Sequence, residues 1–285
     1  MLSKSPSRRA LYPAGKALLA ALLFGASAPL ARVLLRDADP IPLAAFLYLG
    51  CGLGALLFLG YRRTASSADT EARLARTDWP WLAGAIMAGG VAAPILLMFS
   101  LRATPASTAS LLLNFEGVMT ALIAGLVFRE AIGGRVWTGV GLVTLGGILL
   151  SLITTGDWGL SLGALGVIGA CALWGADNNF TRNISAKNPL AIVYVKGLCA
   201  GGFSLLLAVI LGNRMPPPGT VLAAMLIGSV SYGLSIVLFI MALRDLGATR
   251  TSALYATAPF LGVVLAVAVF GERPNLAFLM SMPLM

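Results

Sequence analysis

Three ionisable side chains stand in stretches otherwise made for hydrocarbon. Glu116 interrupts "LLLNFEGVMTALIAGLVFRE" (residues 111–130), Asp177 interrupts "LWGADNNF" and Lys196 interrupts "AIVYVKGLCAGG". A charge at such a position costs at least a few kcal/mol and therefore faces a cavity or a partner. Two kinds of chemistry follow. A carboxyl removed from water titrates nearer neutrality, which is the property needed to carry a proton in exchange for a solute. An Asp–Lys pair at equal depth is either a buried structural ion pair or a site where a ligand bearing both an amine and a carboxylate competes for both charges. For Glu116 the alternatives to proton transfer are a hydrogen bond to a neighbouring helix or a silent protonated acid. Thr108, Leu112, Glu116 and Thr120 share one helical face, which gives the glutamate polar company, while Asn114 points elsewhere. Asn178 and Asn179 make the surroundings of Asp177 hydrophilic.

The solvent around these residues follows from composition. Of 285 residues, 58% are apolar and 11% charged, against about half and about a quarter in soluble domains. A bilayer core of ~30 Å needs about 20 apolar helical residues. Ten runs approach that length: 14–35, 41–61, 79–101, 106–128, 136–154, 161–181, 189–211, 221–243, 249–270 and 275–285. The tenth, at about 1.5 Å of rise per residue, reaches only about half a span. Pro29, Pro94 and Pro259 fall inside spans, where each removes a backbone hydrogen bond and predicts an interruption. The expected fold is an all-α polytopic membrane protein of ten transmembrane helices.

The same pattern occurs twice. "FGASAPLAR" (24–32) lies over "WGADNNFTR" (174–182), pairing Gly25 with Gly175 and Arg32 with Arg182. "PLAAFLYLGCGLG" lies over "PLAIVYVKGLCAG" at an offset of 147, and both copies carry GxxxG. At an offset of 142, "LVFRE" meets "AVFGE", matching Glu130 with Glu272. Residues 1–155 and 156–285 thus read as two five-helix units. Asp177 and Lys196 correspond to Ser27 and Leu49, so the shared scaffold does not require that pair. The recurrence also counts against reading "KSPSRR" and the apolar run after it as a secretory signal.

An odd number of helices per unit inverts the second unit relative to the first. With the N-terminus inside, fourteen of the twenty Lys and Arg fall in cytoplasmic segments and five (Arg32, Arg36, Arg102, Arg214 and Arg273) outside, with Lys196 within a span. The positive-inside rule then places both termini in the cytoplasm. The net charge of +9 reads as an orientation signal with some attraction to anionic lipid, and nothing suggests nucleic acid. Trp79, Trp81, Trp137 and Trp158 sit at span ends, as an interfacial aromatic belt requires.

Inverted repeats are a building plan of secondary transporters. Ten helices as five plus five, "WG" early in the sixth, and a glutamate after the fourth and ninth (Glu130, Glu272) resemble the EamA-type members of the drug/metabolite transporter superfamily over nearly the whole chain. The resemblance implies a multi-pass inner-membrane carrier, typically an exporter of amino acids or other small metabolites. The tenth helix is shorter than the family's, and Tyr48 stands where many relatives have a basic residue.

The remaining positions narrow the alternatives. Tyr48, Trp174, Tyr194, Tyr232 and Tyr255 lie inside spans, as packed aromatics or cavity linings. Glu130 and Glu272, at helix ends, read as structural. Cys51, Cys171 and Cys199 match no metal spacing, and no motif calls for a cofactor. Residues 62–78 form the one long hydrophilic loop. An intramembrane enzyme is disfavoured because a chain without histidine lacks the ordinary general base for a serine or cysteine nucleophile. A non-transporting sensor or assembly protein is the other class. The expected partners are the lipid bilayer and a small-molecule substrate, with Glu116, Asp177, Lys196, Asn178, Tyr48 and Trp174 as the residues that bind it or couple its passage.

Overall fold

A computed structural model describes residues 7–65, 72–131, 133–154, 162–246, 251 and 254–285. Lys4, Trp158 and Arg250, used in the orientation and belt arguments, lie outside the described residues, as do residues 66–71 of the hydrophilic loop. Within them the chain is helical, and the only extended pairing is an isolated bridge between Ala72 and Lys187.

The helices are α1 (Ser7–Gly25), α2 (Ser27–Leu34), α3 (Pro40–Ala65), α4 (Trp79–Ala85), α5 (Ala93–Ala103), α6 (Ala106–Leu112), α7 (Phe115–Leu126) and α8 (Gly134–Thr154) in the first half. In the second half they are α9 (Leu162–Arg182), α10 (Pro189–Ile210), α11 (Pro218–Ile227), α12 (Ser235–Leu246), α13 (Ala258–Phe270) and the short α14 (Leu276–Ser281). Merged across their internal breaks, six of the described stretches are long and apolar enough to cross a membrane: Tyr12–Leu34, Pro40–Tyr61, Arg76–Ala103, Ala106–Leu126, Pro189–Ile210 and Pro218–Phe239. Gly134–Leu149 and Ala258–Phe270 are shorter apolar helices. The protein is therefore multi-pass, as its composition requires.

The breaks have local causes. Pro29 lies in the first turn of α2, after the chain is interrupted at Ala26, and Pro259 lies in the first turn of α13, after a turn at Ala256 and Thr257. Between α4 and α5 the chain widens into a π-helical turn, Ile86–Ala92, and between α11 and α12 into another, Gly228–Leu234. The two turns start 142 positions apart, the offset that aligns "LVFRE" with "AVFGE".

Small residues set the helix crossings, as membrane packing favours. α3 runs along α10, with Gly52 against Gly197. α1 packs on α12 and α13 and buries Ala17, Ala20 and Ala21 completely, so this segment is an integral wall of the bundle. Ion pairs mark its two ends. At one end Arg102 Nη2 contacts Asp39 Oδ1 at 3.2 Å, close to the end of α2. At the other, Lys187 Nζ lies 3.2 Å from Asp78 Oδ2 and Lys16 Nζ 3.0 Å from Asp245 Oδ2.

Candidate functional site

The fourth apolar run is two helices. The ladder breaks at Leu113 and Asn114, so Glu116, expected near the centre of one continuous helix, lies instead in the first turn of α7. The positive end of the helix dipole there favours a carboxylate. Asn114 turns away from it, its Nδ2 donating to Leu111 O at 2.9 Å. The break also divides the expected polar face. Thr108 and Leu112 are buried within α6, while Glu116 and Thr120 remain together on α7.

α9 approaches that face at a glycine. A Cβ on Gly175 would stand 2.8 Å from both Met119 C and Thr120 N, so the backbones meet only because the side chain is missing. The crossing delivers two amides. Asn178 Nδ2 donates to Glu116 Oε1 at 2.9 Å and to Thr120 Oγ1 at 3.1 Å. Asn179 Nδ2 donates to Thr120 O at 3.0 Å and to Gly175 O at 2.8 Å. Beside them opens a cavity of about 420 Å³, whose polar wall is Glu116, Thr120, Asn178, Asn179, Glu130 and Arg182. One side of this cavity belongs to the first half of the chain and the other to the second. Arg182, at the end of α9, pairs with Glu130 just beyond α7. The wall thus presents two carboxylates, Glu116 and Glu130, two neutral amides and the guanidinium that pairs with Glu130.

A second, buried cluster sits one helix away. Lys196 Nζ pairs with Asp177 Oδ2, and Thr181 Oγ1 donates to Asp177 Oδ1 at 3.0 Å. The two residues expected to meet do so. Asp177 is only 4% exposed, and neither side chain belongs to the cavity wall. The carboxylate rests against Gly89 in the first π-turn, where an added Cβ would be 2.0 Å from Asp177 Oδ2. Pro94, two residues beyond that turn, has no N–H to donate back into it, though the turn at Gly228–Leu234 forms with Ile236 at the equivalent place. The Ala93 N–H reaches back five residues to Ala88 O, and Gly89 O is taken by side chains of other helices, Tyr48 Oη at 2.6 Å and Trp174 Nε1 at 3.0 Å. Tyr48 and Trp174 are therefore packed, hydrogen-bonded aromatics, and neither lines the cavity. "WG" also falls in the second half of α9 and not early in it, because its glycine is needed where α9 crosses α7.

Sequence reasoning passed over Gly89 and the ties between halves made by Glu130 and Glu272. Glu272 accepts from Arg32 Nη1 at 2.9 Å, from the Ala106 N–H at 2.8 Å and from the Ser107 N–H at 2.9 Å. The matched offsets of Arg32 with Arg182 and Glu130 with Glu272 were the signal for both ties.

Comparison with known proteins gives a consistent result. The sequence profile of the EamA-like transporter family matches residues 14–152 and again 161–285. An uncharacterized transporter of Methanothermobacter thermautotrophicus is 30% identical over 272 residues, covering 89% of this chain and 78% of that protein. An uncharacterized protein of Pseudomonas aeruginosa is 28% identical over 271 residues, covering 94% of this chain and 88% of that one. A solved crystal structure superposes with a TM-score of 0.68 at 19% identity, covering 96% of this chain and 93% of its own, a likeness in fold alone.

Proposed function

The chain belongs to the EamA-like transporter family and is a multi-pass membrane transporter, and from that premise we propose that it is a secondary-active carrier, an exporter of small metabolites such as amino acids. In this reading residues 1–155 and 156–285 are inverted five-helix repeats, ten spans in all, in the inner membrane with both termini cytoplasmic. The repeats expose one site alternately to the two sides.

The observation that carries the proposal is the cavity between α7 and α9, with Glu116 held by Asn178 Nδ2 at 2.9 Å on its wall. A zwitterion fits these groups, its ammonium on the Glu116 carboxylate and its carboxylate toward the Asn178 amide and Arg182. Glu116 also serves as the coupling group. Its proton and the solute's ammonium compete for the same oxygens, so occupancy by one releases the other. Asp177 and Lys196 lie behind this wall and hold α9 against α10 and the π-turn.

The test is flux in reconstituted vesicles under an imposed pH gradient, with a panel of labelled amino acids. Glu116→Gln keeps size and hydrogen bonding but removes titration. The expected result is a folded, inserted protein whose pH-dependent flux is lost. Transport at the normal rate with an unchanged pH profile would make Glu116 a structural hydrogen-bonder. Failure of any solute to respond to the gradient in the unmodified protein would remove proton coupling.

A further inference from the structure

We propose that the two Arg–Glu pairs, Arg32 with Glu272 and Arg182 with Glu130, are reciprocal latches that close opposite ends of the bundle and are released alternately. The proposal rests on the alternating-access reading, and it adds the parts that hold each end shut.

Each pair joins the first half of the chain to the second, and does so in the opposite sense. Arg32 ends α2 and reaches Glu272 beyond α13 at 2.9 Å. Arg182 ends α9 and reaches Glu130 beyond α7. The arginines are matched at an offset of 150 and the glutamates at 142, so the repeat operation turns one pair into the other. The pairs lie at different ends of the bundle. Arg32 is followed across the short connection after α2 by Asp39, which pairs with Arg102, while Arg182 is followed within one short turn by Lys187, which pairs with Asp78.

The glutamates are aimed by the same backbone device. Each follows a residue in the left-handed region, Arg129 at φ 53° and Gly271 at φ 62°, where the helix ends and the chain turns. Behind each latch the helices cross at a matched glycine. Gly175 meets the Met119 and Thr120 backbone of α7, and a Cβ on Gly25 would stand 2.2 Å from Ala258 O of α13. A close glycine crossing with a charged clasp at one end is a pivot with a catch. When one helix pair tilts about its crossing, its clasp parts while the other stays engaged.

The catches are unequal. Glu272 holds two backbone N–H groups as well as Arg32, and the Arg32 and Glu272 side chains are 27% and 17% exposed. Arg182 and Glu130 are 61% and 34% exposed and border the cavity. An exposed pair contributes little and is easily screened, whereas a carboxylate with several charge-assisted bonds is held firmly. The Arg182 end is therefore the easier one to open.

The test reads accessibility without any substrate. In Ala121→Cys, with the exposed Cys199 replaced by Ser, a membrane-impermeant maleimide is applied to oriented vesicles from either side. Glu130→Gln is expected to raise labelling of residue 121 from the Arg182 side about two- to fivefold. Glu272→Gln is expected to lower labelling from that side and to raise it from the Arg32 side about tenfold. The exchange of Glu130→Arg with Arg182→Glu is expected to return the sidedness to that of the parent. Changes of the same sign in both Gln variants, no change, or an exchanged pair that inserts without restoring sidedness would each overturn the latches, and the exchange decides the matter if a Gln variant does not insert. Flux in the same vesicles separates the two readings. Opposite-signed labelling with no flux leaves the latches and removes the carrier reading, whereas normal flux with unaltered labelling does the reverse.

Discussion

Gly89→Ala is expected to destabilise the protein, although the same exchange inside an ordinary helix stabilises it by roughly 0.5–1 kcal/mol. Gly89 sits in the first π-turn, and its new Cβ would lie 2.0 Å from Asp177 Oδ2, 2.3 Å from Cγ and 2.5 Å from Cβ. The whole carboxylate must shift by about an ångström, and the direction open to it leads away from the packed turn and strains the contact with Lys196. Overpacking costs about 1–3 kcal/mol, and full loss of a buried ion pair's partner about 3–5 kcal/mol. A displaced but surviving pair falls between, so the expected loss is about 2–4 kcal/mol. For a chain of this size that is roughly 5–15 °C in apparent Tm, read by thermal unfolding in detergent with and without Asp177→Gly. Removing the whole side chain, the Cβ at 2.5 Å included, removes the collision, so in the Asp177→Gly background Gly89→Ala is expected to cost less than about 1 kcal/mol. An equal loss in both backgrounds would refute the reasoning and place the strain in the π-turn itself.

Two further outcomes are expected. Arg129→Gly, which gives the left-handed position before Glu130 the residue that its counterpart Gly271 already has, is expected to raise stability by about 1 kcal/mol, measured by the same melts. Tyr48→Phe leaves Gly89 O with Trp174 as its side-chain donor and is expected to cost about 1 kcal/mol, and combining it with Trp174→Phe is expected to cost more than the two single losses together, because a buried carbonyl is then left without either bond.

Six of the ten expected spans are matched by long apolar helices among the described residues, and they were legible because hydrocarbon admits few side chains, and an apolar run ended by charge or proline marks its own limits. Asp177 and Lys196 were legible for the same reason, since two opposite charges at one depth have few other places to go. The prolines announced interruptions but not their form. Whether Pro94 yields a kink, a gap or a π-turn depends on what waits for the freed carbonyl, and Tyr48 and Trp174 arrive from distant segments. Glu116 is central in the span Ala106–Leu126, but the break that makes it a helix start was not legible because Leu113 and Asn114 carry no proline or glycine. The contact between Asp177 and Lys196 is made, whereas its packing against Gly89 was not legible, since spacing along a helix gives height without saying which neighbour covers a face. Glu130 and Glu272 were found as matched landmarks, and only the crossing of helices reveals that each reaches the arginine of the other half.

The two π-turns also limit what the chain can lose. A turn closed over five residues contains one more residue than the ladder on either side requires. Removing that residue would rotate everything beyond it by about 100° and turn a buried face outward. Here the extra residue occurs at Ile86–Ala92 and again at Gly228–Leu234, so a one-residue deletion at either turn would misplace the whole helix that follows it, α5 or α12.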